Sequence, residues 1–243
     1  MLIQNKYELL GKIGNGSFSN VYKAKHNIKN NIVAIKFDND DNSKILIQNE
    51  INVYLALLKR DSASCVNIKS FGIIDKRNYI IMDYISCNIK EYVEINKEAL
   101  SCCKVFKNLI STLNILHNNG YVHRDLKPDN ILIKDDKIYL IDLGFATKVS
   151  NKIYENMIGS ILFSSYNTHN DNFQYRKKDD ILSCFYIIFY CFFEKALPWK
   201  NIENNRRILY HYKKYTDFEK YYKDKNMKEL MNYYNNIDIL RSY

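Results

Sequence analysis

The chain has 243 residues, 47% of them hydrophobic and 26% charged, enough to bury a substantial core as one large domain or two packed lobes. Only two prolines and seven glycines occur, which excludes long disordered linkers. The formal net charge of +9 would attract phosphates, acidic protein segments or nucleic acid, but charge alone locates no site, and a Lys-rich solvated surface is the simpler reading.

The six cysteines, Cys65, Cys87, Cys102, Cys103, Cys184 and Cys191, form no C-x-x-C pair. They read as reduced thiols, which suits the cytosol or nucleus. Lys6, Glu8 and Lys12 interrupt the apolar residues of the N-terminus, against a signal peptide. The longest apolar run, 181–193, falls short of the about 20 residues that span a bilayer, so a buried helix is expected there and no membrane partner.

In chain order, 7–13 and 21–24 read as strands flanking a glycine-rich turn, and 32–37 as a third strand. An acidic turn, 38–42, precedes a helix over 43–58, with Ile45, Ile47, Ile51, Tyr54, Leu55 and Leu58 at helical spacing. Strands follow at 68–74 and 79–82. Helical character then takes over: 102–118 repeats Val105, Leu109, Leu113 and Leu116 and stops at Gly120. Residues 131–133 and 138–141 bracket the charged turn 134–137 as a hairpin. The segment 180–193 is apolar on nearly every face, and 225–240 forms a last amphipathic helix.

The chemistry concentrates in His123-Arg124-Asp125-Leu126-Lys127-Pro128-Asp129-Asn130, followed by Asp142-Leu143-Gly144. Phosphoryl transfer depends on positioning and charge: a group at the incoming hydroxyl, oxygen ligands for a metal, and a cation near the transferring phosphate. Asp125, Asn130 and Asp142 have the chemistry, order and spacing for the first two tasks, and Lys127 for the third. Upstream, Gly14-Asn15-Gly16-Ser17-Phe18 and Val21 form a turn whose backbone amides can approach phosphate oxygens. No G-x-x-x-x-G-K-[ST] pattern occurs, which rules out a Walker-type loop. Val33-Ala34-Ile35-Lys36 ends an apolar strand on a lysine, and Glu50 on the following helix could hold its ammonium against phosphates.

Taken together these residues resemble the eukaryotic protein kinase superfamily over positions 7–240. His123 to Pro128 is similar to the serine/threonine form of the catalytic loop. Ser165-Tyr166-Asn167-Thr168-His169, Arg176 to Ser183 and Leu197-Pro198-Trp199 resemble the casein kinase I family, and Met82-Asp83-Tyr84-Ile85 resembles its hinge, with Met82 as gatekeeper. The resemblance implies an α+β, two-lobed kinase-like fold as a single domain over 1–243. A small antiparallel sheet with one helix would occupy 1–82, a hinge 83–86, and a larger, mainly helical lobe 87–243. It implies ATP with Mg2+ or Mn2+ as cofactors and serine/threonine side chains of proteins, acidic ones included, as acceptors. Asp125 would orient or deprotonate the hydroxyl, Lys127 would steady the γ-phosphate, and Asn130 and Asp142 would bind metal. Lys36, held by Glu50, would bind the α- and β-phosphates. Ile13, Val21 and Ala34 would contact adenine, backbone groups of residues 83–85 its edge, and Asp180 would anchor the catalytic loop.

Several positions depart from the family pattern. Ser19 stands in place of a third glycine, Leu162 where an Arg used in anion recognition is common, and Phe185 where a small residue is usual. The chain after Trp199 is short. The alternative reading is a catalytically weak or inactive nucleotide-binding scaffold, although Lys36, Asp125 and Asp142 are all retained. A small-molecule kinase is disfavoured by Lys127-Pro128 and the 165–169 segment. The Tyr/Lys alternation of 210–222 could stack bases, but an aromatic helix packed in a lobe explains it better, so nucleic acid is not expected as a partner. A monomer is expected.

Overall fold

The computed structural model describes residues 2–59, 66–193, 197–202, 205–218 and 225–236. The chain divides into two compact units, Met1–Ser86 with Tyr139–Ala146, and Cys87–Ile138 with Thr147–Tyr243. It passes from the second unit back into the first within one strand and leaves again after Ala146.

The first unit is built on a six-stranded sheet in the order β1-β2-β3-β4-β6-β5, every neighbouring pair antiparallel. The strands are β1 (Leu2–Ile3), β2 (Tyr7–Asn15), β3 (Ser19–His26), β4 (Ile32–Asp38), β5 (Ile68–Ile74) and β6 (Arg77–Asp83), with helix α1 (Asp41–Leu58) between β4 and β5. Strand periodicity assigns the faces. Val33, Ile35 and Phe37 of β4 join Tyr7, Ala24, Tyr79 and Ile81 on one side. Ala34 turns to the other, with Ile80 and Met82 of β6 and Ile47 and Ile51 of α1. β4 and β6 are covered on both faces, so 32–37 and 79–82 read as apolar runs interrupted only by Lys36.

Several boundaries differ from the sequence expectation. β2 and β3 run further into the glycine-rich turn, to Asn15 and from Ser19, because Gly14 pairs with Val21 and Asn15 with Asn20. The expected acidic turn at 38–42 is shorter, since α1 starts at Asp41. Asp40 caps it by accepting the Ser43 N–H at 2.9 Å, while Ser43 Oγ accepts the Asp40 N–H at 2.8 Å.

The second unit is mainly helical: α2 (Ile89–Asn96), α3 (Cys102–Asn118), α4 (Lys177–Phe192), α5 (Arg206–Tyr215) and α6 (Lys225–Asn236). Strands β7 (Tyr121–Val122) and β10 (Thr147–Lys148) pair with each other, and β8 (Ile131–Lys134) and β9 (Lys137–Leu140) form the expected hairpin. Its turn residues Asp135 and Asp136 have φ of 50° and 59°, the left-handed pair that a tight hairpin needs. α3 stops where expected, with Gly120 at φ +80° donating its N–H to His117 O.

α4 is the buried helix, with Cys184 to Phe189 all sealed from solvent. It starts at Lys177, three residues before the expected 180, because the Asp179 carboxylate accepts the Arg176 N–H at 2.8 Å. Phe185 is accommodated by Phe218, whose ring meets it edge-on at 5.0 Å. α2 was not expected from sequence, and α5 begins before the aromatic helical stretch expected from 210. α2 buries only Ile89 and Val93, too few positions to show a period. The expected last helix is seen over Lys225–Asn236, and its continuation to 240 lies outside the described residues. Cys87, Cys102, Cys103, Cys184 and Cys191 are thiols rather than disulfides, and Cys65 lies outside the described residues.

Candidate active site

In the first unit a buried ion triad forms around Lys36. The lysine faces the α1 side of β4, and Glu50 shares the helix stripe of Ile47 and Ile51 that packs on the sheet. Lys36 Nζ lies 2.6 Å from Glu50 Oε2 and 2.6 Å from Asp142 Oδ1. Burial alone would lower the Lys36 ammonium, but the charges of and hydrogen bonds to Glu50 and Asp142 outweigh it and hold it above the ordinary lysine range. Glu50 is 1% exposed, whereas the Asp142 side chain keeps 34% of its surface open. The triad is thus closed on the helix side and reachable on the aspartate side.

Asp142 adopts a left-handed conformation, φ 60° and ψ 57°, at the start of a 3-10 turn over Leu143–Phe145. This turn is strapped to α1. Glu50 Oε1 accepts the Leu143 N–H at 3.3 Å, and the Asn49 amide donates to the carbonyls of Gly144 and Ala146, both at 2.8 Å. Sequence reasoning found Asp142 and Glu50 and missed Asn49, whose polarity on a helix carries no signal of its own.

The glycine-rich turn is held from two sides. Gly16 N–H donates to Ser19 O at 3.0 Å within the turn. The Asn39 amide donates to Gly16 O at 3.0 Å and Ser17 O at 3.3 Å, and the Asn39 N–H to Phe18 O at 3.3 Å. The Phe18 ring meets Phe145 edge-on at 5.4 Å. Asn15 accepts from Lys12 Nζ at 2.7 Å. Asn39 is a second residue missed in the sequence, where it reads as part of a solvated acidic turn.

Val21, Ala34, Met82 and Ile85 share one apolar cluster with Tyr139 and Ile141, and Ala34 sits directly opposite Met82 across β4 and β6. Ile13 stands apart from that cluster, 47% exposed on β2. The Asp83 N–H is taken by Asn67 O at 3.0 Å, which removes it as a donor to a purine edge, and its carboxylate pairs with Lys69 at 2.8 Å.

In the second unit the polar groups converge on Asp125, which is 4% exposed. The Ser160 N–H donates to its Oδ1 at 2.9 Å, Lys127 Nζ lies 3.3 Å from its Oδ2, and the Asn130 amide donates to its backbone carbonyl at 2.8 Å. Asn130 is buried and begins no helix; it ends the 3-10 turn Pro128–Asn130. The loop before Asp125 is fixed from α4. Asp180 accepts the N–H groups of His123 at 2.8 Å and Arg124 at 3.0 Å, and bonds His117 Nε2 at 2.9 Å. Burial would raise the Asp180 carboxyl, but the bonds and charges from His117 and His123 outweigh it and hold it below the ordinary value. This buried anchor lets Arg124 occupy φ 71°, where its guanidinium faces the rings of Tyr154 at 5.5 Å and Tyr175 at 5.1 Å.

Among the described residues no cluster of three or more His, Cys, Asp or Glu side chains could hold a metal by itself. Each unit by itself offers a hard oxygen, the partly open Asp142 carboxylate in the first and the Asn130 amide oxygen in the second. That fits Mg2+, which takes one or two protein oxygens and fills its remaining positions with phosphate and water. Among the described residues no helix is long and apolar enough to cross a membrane. A family model described as a protein kinase domain matches residues 7–240, nearly the whole chain. With a six-stranded antiparallel sheet carrying the lysine, a helical unit carrying the Asp125 loop, and that match, the chain belongs to the protein kinase family.

Proposed function

We propose that this kinase domain is a serine/threonine protein kinase of casein kinase I type, transferring the γ-phosphate of ATP to protein hydroxyls. The observation that carries the reading is the setting of Asp125: both carboxylate oxygens are engaged, one by the Ser160 N–H at 2.9 Å and one by Lys127 at 3.3 Å. A carboxylate held in one rotamer beside a cation is suited to orient an acceptor hydroxyl and take its proton as the bond to phosphorus forms. Lys127 neutralises charge growing on the transferring group. Lys36, kept charged and fixed by Glu50, binds the α- and β-phosphates. Asp142 and Asn130 would each offer an oxygen to Mg2+, which when bound would offset phosphate charge.

Lys127-Pro128 supports the serine/threonine type. The 165–169 segment supports the casein kinase I type: Ser165 Oγ donates to Asp179 Oδ1 at 2.5 Å and the Asn167 amide to Asp179 Oδ2 at 3.2 Å, tying it to the start of α4. Leu162, in place of a basic residue, weighs against a strict need for pre-phosphorylated acceptors. The test is incubation with γ-labelled ATP, Mg2+ and dephosphorylated casein, followed by identification of the labelled residues. Phosphoserine or phosphothreonine is expected. Phosphotyrosine would contradict the type, and nucleotide binding without transfer would favour the scaffold reading.

A further inference from the structure

Lys213, on α5, is the most deeply buried ammonium group among the described residues of the second unit, at 0% exposure. Burial pushes the Lys213 ammonium well below the ordinary lysine range, so its charge is kept only by the acceptors that engage it. Its Nζ donates to Ile161 O at 2.5 Å, Ser164 O at 2.7 Å and Ser164 Oγ at 3.2 Å, so all three of its hydrogens go to one short segment. The rings of Trp199 and Tyr186 lie 5.5 and 5.9 Å from it. Trp199 acts on the same segment, its Nε1–H donating to Leu162 O at 2.8 Å.

The segment 160–164 is a single tight turn. The N–H groups of Phe163 and Ser164 both donate to Ser160 O, at 3.3 and 2.9 Å. A lone turn leaves its remaining carbonyls without partners, and buried carbonyls must find donors. Here the 161 carbonyl accepts from Lys213 and, at 3.1 Å, from the Ser164 hydroxyl, the 164 carbonyl from Lys213, and the 162 carbonyl from Trp199. The other end of the turn reaches the chemistry, because the Ser160 N–H is bonded to Asp125 Oδ1. Whatever hydroxyl Asp125 serves must lie beside this turn, so the turn flanks the acceptor polypeptide.

We propose that Lys213, with Trp199, is a positioning residue for the protein acceptor: it fixes the turn 160–164 in the form that receives the acceptor chain next to Asp125. This rests on the protein-kinase reading above. A lysine in a Tyr/Lys-rich helix reads in sequence as a solvated charge; its burial over three oxygens assigns it a different task.

The test uses the full chain with ATP, Mg2+ and dephosphorylated casein, comparing wild type, Lys213→Met, Lys213→Arg and Trp199→Phe, with melting temperatures alongside. Lys213→Met keeps the stem and removes the donors. Its KM for casein should rise about tenfold, as expected for loss of charge-assisted bonds, while its KM for ATP stays within about twofold of wild type. Lys213→Arg should recover part of the loss, and Trp199→Phe, which deletes one N–H and keeps an aromatic ring, should show a smaller rise in the casein KM alone. A folded Lys213→Met with unchanged casein KM, or with both KM values raised together, overturns the proposal. If Lys213→Met does not fold, an unchanged casein KM in Trp199→Phe overturns it. A wild-type chain that binds ATP yet transfers nothing overturns the kinase reading and this proposal with it.

Discussion

A Cβ added to Gly159 would lie 2.4 Å from the carbonyl oxygen of Arg124, closer than real side chains approach. The same carbon would lie 3.0 Å from Asp125 Oδ1, and the glycine sits at φ +93°. The turn carrying Ser160 therefore reaches Asp125 only because this position has no side chain. Gly159→Ala should push the turn away from the catalytic loop at a backbone cost of about 1–2 kcal/mol. Turnover should drop about a hundredfold, the scale expected of a misplaced reacting group. Steady-state rates with a melting curve check this: near wild-type turnover in a folded Gly159→Ala would contradict it.

Lys36→Met would leave Glu50 buried without its cation. Breaking a buried pair from one side costs about 3–5 kcal/mol, so the variant should unfold at lower urea and bind nucleotide more weakly. Glu50→Gln, which keeps the shape and an acceptor for the Leu143 N–H, should lose less stability. Urea melts of both variants beside nucleotide titration test the ordering, and equal stability of wild type and Lys36→Met would oppose it.

Asn39→Ala removes the amide that donates to Gly16 O and Ser17 O. These bonds are solvent-exposed, so the expected effect is modest, a rise in the KM for ATP of about threefold with the acceptor KM unchanged. An unaltered ATP KM would show that the turn needs no hold from this side.

Two separate acid-sensitive groups should divide the pH dependence of stability. Burial, then the charges of Lys213 and Arg206, pushes the His169 ring down to about 3 from the ordinary 6.5. A ring kept neutral in the folded chain contributes fully above its unfolded value, and that contribution is lost as pH falls from about 6.5. Asp180 is held below the ordinary 3.8, so its contribution is complete above that value and is lost as pH falls below it. Unfolding free energy measured against pH should therefore lose its slope between about pH 6 and 4 in His169→Gln, with the steeper acid limb retained. Asp180→Asn should be less stable at neutral pH and show a shallower slope below about pH 4 than the wild type. Parallel profiles for wild type and both variants would contradict these assignments.

The sheet was legible because 32–37 of β4, Lys36 apart, and 79–82 of β6 are apolar runs, and the pairing of Lys36 with Glu50 because Ile47 and Ile51 mark the buried stripe of α1. The Asp125 loop was legible as an ordered string of charged residues. Other parts left no local trace. Asn39 and Asn49 act through amides on backbone carbonyls, and Ser160 through its own N–H, none of which depends on a recognisable pattern. Lys213 was hidden for a different reason: its acceptors, Ile161 and Ser164, lie about fifty residues away and meet it only after folding. Ile13 shows the converse, an apolar residue at a motif position that remains exposed.

The most direct test of the assigned chemistry is single-turnover transfer of the γ-phosphate to casein, at saturating ATP and Mg2+, by wild type and Asp125→Asn. Asp125→Asn keeps the acceptor for the Ser160 N–H and removes the base, so transfer should slow about a thousandfold. Nucleotide affinity should stay within about twofold. Transfer at the wild-type rate by Asp125→Asn would contradict the role given to this carboxylate and, with it, the assignment of the catalytic loop.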